Sequence, residues 1–304
     1  METATALDDR TITAEVETQT ARVVKTVEWF DDRFYKILFS NAEAVFYPSV
    51  TTILGAINKP YLARWRGEVG NELADAKMNE AARRGSEIHH ACAILASGGA
   101  VHWVNNDRRD AGAEDLKLRQ LAEYAMLSRD SFHVFRRNQE EWIQVYRFFQ
   151  LLNLVKPKTK AIEKTLFSVE HEIAGTMDFL WEIAEGDYLI SGKTPTHIKA
   201  GNYVVDLKTG AAINDEHNLQ LGAYAAMAKA QLASEIAGTI IVHTNAATRT
   251  GIEGLKLSIR NSGGEIEKDF EDFLAVQKIW KRTNESINPK AFELPISLQL
   301  TRES

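Results

Sequence analysis

Asp206 and Lys208 stand two positions apart at the end of a short run, Tyr203-Val204-Val205, and just before a Thr209-Gly210 turn. Aromatic and β-branched residues in such a run predict a strand. Side chains alternate across a strand, so the carboxylate and the ammonium share a face while Leu207 points into the opposite layer. Neither charge is stable when buried alone, so the pairing marks chemistry rather than packing. Upstream, Ile173, Met177, Phe179 and Trp181 predict a second strand, with Thr176 and Asp178 together on one face. Beyond the turn, Asp215 is a candidate cap for a helix on which Gln220 and Tyr224, four residues apart, share a side. Carboxylates on neighbouring strands are hard oxygen ligands suited to Mg²⁺ or Mn²⁺. A cation so held could bridge a phosphate and acidify a bound water, and the lysine could orient that water or accept its proton. The reaction class these residues predict is phosphodiester hydrolysis.

These motifs, taken in order, resemble the PD-(D/E)XK nucleases and in particular their RecB-like exonuclease branch. The resemblance rests on Gly85-Ser86-Glu87-Ile88-His89, Gly175-Thr176-Met177-Asp178, Asp206-Leu207-Lys208, and Gln220 with Tyr224, and covers roughly residues 45 to 230. It implies an α/β fold with a restriction-endonuclease-like central mixed sheet flanked by helices. It implies a metal held by His89, Asp178 and Asp206, with the Leu207 carbonyl a further candidate ligand and Lys208 acting on the attacking water. Gln220 and Tyr224 would flank the site, positioning the strand or bracing the lysine. The implied substrate is DNA, attacked from an end, in recombination, repair or replication, with a recombinase or single-strand-binding protein as a candidate partner. A structure-specific endonuclease of the same fold and an inactive nucleic-acid-binding scaffold are the rival readings. Glu163, ahead of Asp178 in a strand-like Ala161–Phe167 segment, is open between a place near the metal and a structural ion pair.

Composition narrows the frame. The chain has 304 residues, 44% hydrophobic and 26% charged, which suits a globular core. No apolar run approaches the ~20 residues of a membrane-spanning helix. The first residues lack a basic-then-apolar leader, which predicts a cytoplasmic protein. A single cysteine, Cys92, excludes an internal disulfide and the four-cysteine iron–sulfur cluster of some relatives of the resembled branch. The net charge of −6 does not advertise nucleic-acid binding, but the placement of the lysines matters more than their total. Lys156, Lys158, Lys160 and Lys164 form the clearest basic cluster, read either as a phosphate-contacting surface or as a solvated face.

The expected frame is a tail over 1–20, one nuclease domain over 21–290 with a helical insertion at about 50–155, and an irregular tail over 291–304. Thr26–Phe30 and Arg33–Leu38 predict an N-terminal hairpin through Asp31-Asp32. Pro48 and Ser49 predict a break and a helix cap, and Trp65 beyond them reads as core. Residues 70 to 97 predict a long helix on which His89 falls with Met78, Ala82, Gly85, Cys92 and Ala96 on a small apolar stripe. His90 falls with Asn79, Arg83 and Ser97 on the polar side. Residues 98–112 read as a loop, and 113–127 and 138–152 as amphipathic helices, with Trp142, Tyr146, Phe148 and Phe149 as packing residues. Gly192-Lys193-Thr194, in a predicted surface loop over 191–202, lacks the earlier glycine of a phosphate-binding P-loop, so an ATPase is excluded.

Overall fold

The computed structural model describes residues 13–16, 19–29, 32–39, 44–104, 132–232, 234–287 and 289. It is a mixed α/β protein with a central mixed sheet flanked by helices. An antiparallel sheet opens the chain in the order β1 (Thr13–Val16), β2 (Gln19–Trp29), β3 (Asp32–Phe39) and β4 (Val45–Pro48). The expected hairpin is β2–β3. Pairing begins at Thr13, inside the stretch read as a tail, because its threonines and Val16 suit a strand. Segments 105–131 and 291–304, including the predicted helix over 113–127, lie outside the described residues.

Three helices follow: α1 (Val50–Leu54), α2 (Pro60–Val69) and α3 (Asn71–Ala96). Ser49 caps α1 by accepting the Thr52 N–H, as its type predicts. Between α3 and α4 (Gln139–Val155) the chain forms β5 (Ala100–Trp103) and β6 (Phe132–Phe135), paired in parallel. The region expected to be a helical insertion therefore includes a strand pair. Trp103 stacks on Trp142 of α4 there, with ring centroids 5.7 Å apart. Next come β7 (Lys158–Ser168), β8 (Ile173–Ile183), β9 (Gly186–Tyr188), β10 (Thr196–Ile198) and β11 (Gly201–Lys208). Strand β10 lies within the stretch read as a surface loop, because Ile198 is buried and pulls it onto β9. The chain closes with α5 (Glu216–Leu232), β12 (Ile236–His243), β13 (Lys256–Arg260) and α6 (Gly263–Thr283).

The central sheet runs β13-β12-β11-β8-β7, with β11 and β12 parallel and the other pairs antiparallel. A parallel pair needs a crossover, and α5 supplies it. Val204 packs with α1, α5 and α6 on one face, while Tyr203, Val205 and Leu207 pack with α3 and α4 on the other. A central strand buried on both faces reads as a near-continuous apolar run, which is why Asp206 stands out in it. No helix among the described residues is long and apolar enough to cross a membrane.

Helix α3 buries Ile88, Ala91, Cys92 and Ile94, with His89 half-buried beside them and His90 exposed. The expected stripe extends less far: Met78 and Ala82 are exposed because the first half of α3 projects beyond the body. Its rotation is fixed by the buried Arg137, which donates two hydrogen bonds to Glu87 at 2.6 and 2.7 Å and one to Glu80 at 3.2 Å. Expectations for α4 also divide. Phe148 is buried, whereas Tyr146 and Phe149 stack on each other at the surface, because the helix turns their row away from the sheet. Arg137→Ala should lower stability by about 1–3 kcal/mol, since charge-assisted hydrogen bonds are lost together. Arg137→Lys should recover only part, because an ammonium cannot grip a carboxylate with two parallel bonds. Urea unfolding of the three proteins measures both effects.

Candidate metal centre

The site forms where β8 and β11 part. Their backbone pairing runs from Gly201↔Ile183 to Val205↔Phe179 and stops there. One step further, the Asp178 carboxylate takes over from the ladder, and its Oδ2 accepts the Leu207 N–H at 2.7 Å. The same oxygen lies 3.4 Å from His89 Nδ1, so α3 meets the sheet at this carboxylate. On the other side of β8, β7 pairs Ile162 with Phe179 and Lys164 with Met177, which sets Glu163 opposite Asp178. Glu163 adopts φ 46°, a left-handed conformation unusual for a non-glycine residue. One ligand atom each from His89, Glu163 and Asp178 lie within 4.8 Å of one another, close enough to hold one metal ion. This placement sets the exposed Glu163 beside Asp178 and His89.

Asp206 stands apart from that triplet. Buried on the α5 side of the sheet, its Oδ1 accepts from Lys208 Nζ at 3.0 Å, and Oδ2 lies 2.8 Å from the same nitrogen. That second oxygen is buried without a hydrogen bond of good geometry, a position that suits a cation. Lys208 Nζ also donates to Gln220 Oε1 at 3.2 Å, and Gln220 Nε2 donates to the Tyr224 hydroxyl at 3.3 Å. The helix repeat expected from the spacing of Gln220 and Tyr224 is therefore a hydrogen-bonded brace on the lysine. Leu207 faces the α3 and α4 layer, opposite Asp206, as the alternation predicts.

Burial and charge act against each other throughout. Burial opposes ionisation of His89, but the Asp178 carboxylate outweighs it and raises the imidazole above its usual value. Asp178, also buried, is held below the ordinary aspartate value by His89 and by the Leu207 N–H. For Asp206 burial wins, and the carboxyl is pushed up to about 6 despite Lys208. Lys208 loses to burial but gains more from Asp206, which raises it and keeps it an ammonium. Burial raises the Tyr224 hydroxyl, so it acts as a neutral group.

Several supports carry no sequence signature. Thr244 takes the Lys208 carbonyl with its backbone N–H at 3.1 Å and donates its hydroxyl to Gln144 at 3.0 Å, which pins the end of β11 to α4. His243 Nε2 donates to the Gly210 carbonyl at 2.8 Å and holds the turn. Thr176 bridges Tyr35 and Thr165 at 3.2 and 3.0 Å. All are contacts between residues distant in sequence, and spacing alone does not reveal them.

Of the four lysines, Lys158 and Lys160 both reach Glu182, at 3.8 and 2.6 Å, so one carboxylate already offsets that pair. Lys156 and Lys164 form no ion pair among the described residues. Comparison of the chain with protein-family models finds none that matches, and comparison with curated proteins finds no match either.

Gly175 is where β8 must lack a side chain. A Cβ there would lie 2.5 Å from Cε1 of Tyr224, whose ring covers the strand backbone. Gly175→Ala should cost about 1–3 kcal/mol by overpacking. The cost should largely vanish in a Tyr224→Ala background, so a double-mutant cycle by chemical denaturation should give a coupling near the full cost. Additive effects would mean that Tyr224 does not set the requirement for glycine.

Proposed function

We propose that this chain is a divalent-metal-dependent DNA exonuclease of the PD-(D/E)XK type, with a restriction-endonuclease-like core. The observation that supports it most is the meeting of His89, Glu163 and Asp178 beside the buried Asp206 and its Lys208 partner, where two adjacent strands part. In this reading His89, Asp178 and Asp206 hold the cation, Glu163 joins them, and the Leu207 carbonyl is a further ligand. A donor set of carboxylates and one imidazole fits Mg²⁺ or Mn²⁺, the latter tolerating the nitrogen better. When bound, such a cation neutralises phosphate charge and acidifies water.

The chain's own residues then have distinct tasks. Asp178 carries two, because the Leu207 N–H fixes one of its oxygens and His89 approaches the same atom. Lys208 stays an ammonium while paired with Asp206, so it orients the attacking water and offsets developing charge rather than accepting a proton. Gln220 keeps that ammonium from swinging away, and Tyr224 holds Gln220 in turn. Activity from an end, rather than within a closed circle, rests on the family likeness of the Gln220–Tyr224 helix. A labelled linear DNA assayed beside a covalently closed circle tests it.

Cleavage should require a divalent metal, with Mn²⁺ at least as effective as Mg²⁺, and excess chelator should abolish it. Lys208→Ala should lower the rate by about 10²–10³-fold, the usual cost of losing one preorganised donor, while metal binding persists. Asp206→Ala and His89→Ala should weaken metal binding as well, whereas His90→Ala should stay near wild type in both. Calorimetric metal titration beside cleavage rates separates these outcomes, and undiminished cleavage by Lys208→Ala would overturn the proposed site.

The lysines give a graded expectation. If Lys156 and Lys164 touch phosphates, each alanine substitution should flatten the log–log salt dependence of duplex binding by about 0.9. Lys158→Ala and Lys160→Ala should change it less, because Glu182 already offsets them. Equal slopes for all variants would return the cluster to a solvated face.

A further inference from the structure

Helix α2 has no stake in the core: none of its ten residues is buried. Trp65, expected in the interior, is only half-buried, and Tyr61 is 57% exposed. We propose that α2 is a platform for single-stranded DNA, on which Tyr61 and Trp65 stack against bases of a strand whose end enters the metal centre. The fate of that strand rests on the nuclease reading, whereas its binding does not.

The helix is held in place although it is exposed. Arg66, on the row facing α3, pairs with Asp75 at 2.7 Å and touches the Met78 sulfur at 3.4 Å. Tyr61 and Trp65, four apart, share the adjacent row. At its start Lys59 pairs with Glu216 at 2.9 Å, and the Tyr61 hydroxyl accepts from Asn214 Nδ2 at 3.3 Å. Asn214 and Glu216 belong to the segment that leaves Lys208 and enters α5, so the aromatic row borders the approach to the lysine. The hydroxyl tether fixes the direction of the Tyr61 ring while leaving most of the residue in solvent. An ordered, exposed aromatic ring is a ready stacking partner at small entropic cost.

The charge adds one cation. Lys59 and Arg66 are already offset by Glu216 and Asp75, which leaves Arg64 on this segment beside the single acid Glu68. Arg64 is exposed and forms no ion pair among the described residues, so it is available to a phosphate. The choice of single strand over duplex follows from base geometry. Bases in a duplex are stacked on each other and offer edges and backbone, whereas an unpaired strand offers base faces to a planar ring. Phosphate contacts alone would serve either form.

The test uses the full chain and a fluorescent dT20, beside a blunt 20-base-pair duplex, with binding read by anisotropy in EDTA. Stacking contributes roughly 5- to 150-fold in affinity per base. The double variant Tyr61→Ala/Trp65→Ala should therefore bind dT20 at least tenfold more weakly, while its duplex affinity changes far less. Tyr61→Phe keeps the ring and should retain most of the dT20 affinity. Unchanged dT20 binding, or an equal loss on duplex, overturns the platform. A shift from dimer to monomer in sedimentation of the double variant also overturns it, since the face would then join two copies of the chain. Hydrolysis of bis(p-nitrophenyl) phosphate by the wild type with Mn²⁺ reports on the metal centre separately. If that fails while the dT20 loss holds, the nuclease reading falls and the platform stands.

Discussion

A buried carboxylate and the half-buried ammonium paired with it at the end of a central strand set the terms for the structure around them. Taking Asp206 out of water costs several kcal/mol, and its attraction to the partly solvated Lys208 offsets this only if the remaining donors and acceptors find partners. Lys208 finds two, Asp206 and Gln220, and Gln220 is held by Tyr224. Tyr224 can occupy its position only because Gly175 has no side chain. A chain of three contacts thus links the strand that carries Asp178 to the strand that carries Lys208, by way of α5. The small residues of α5 serve the same end: a Cβ on Gly222 would lie 2.7 Å from the Phe270 backbone nitrogen, so α5 is wedged tightly between the sheet and α6.

The arrangement leaves Asp206 under-compensated. Its Oδ2 lacks a well-formed hydrogen bond, and its carboxyl is pushed up to about 6. A buried aspartate that stays half-ready to take a proton is a poor stabilising element and a good ligand. Asp178 is the complement, held ionised by the Leu207 N–H and by His89. Carboxylates whose environments push their ionisation in opposite directions are a recurrent mark of sites built for chemistry. The fold keeps this tension at the end of the sheet, where the β8–β11 ladder stops and side chains can replace backbone partners.

Much of this was legible in the order of residues. Alternation along Tyr203–Lys208 put Asp206 and Lys208 opposite Leu207, and the helix repeat separated His89 from His90, because both depend on local periodicity alone. Ser49 was readable as a cap for the same reason. Readings failed where burial depends on what a distant segment covers. Trp65, Tyr146 and Phe149 have core-forming side chains, yet α2 and the outer row of α4 have no layer above them among the described residues. Strands β5 and β6 escaped because each is four residues long and pairs across a wide separation in sequence. Glu163 needed more than periodicity: its positive φ turns a strand residue out of simple alternation, and only the β7–β8 register sets it opposite Asp178.

The two halves of α3 follow from one division of labour. The part from Ile88 onward packs against the sheet, and Arg137, gripping Glu87 and Glu80 just before it, sets the rotation that brings His89 to Asp178. The first turns, exposed apart from Ala74, hold α2 through Asp75 and Met78. A helix long enough to do both couples the candidate metal centre to whatever rests on α2 without a hinge between them. The same coupling runs through the segment after Lys208, which His243 grips at Gly210 while Tyr61 and Lys59 grip it at Asn214 and Glu216. Two routes therefore run from α2, one through α3 to the His89–Asp178 contact and one to the segment that follows Lys208. A strand seated on α2 would be presented to a centre whose position relative to that helix is fixed before it arrives, which is the condition under which binding energy favours reaction over mere retention.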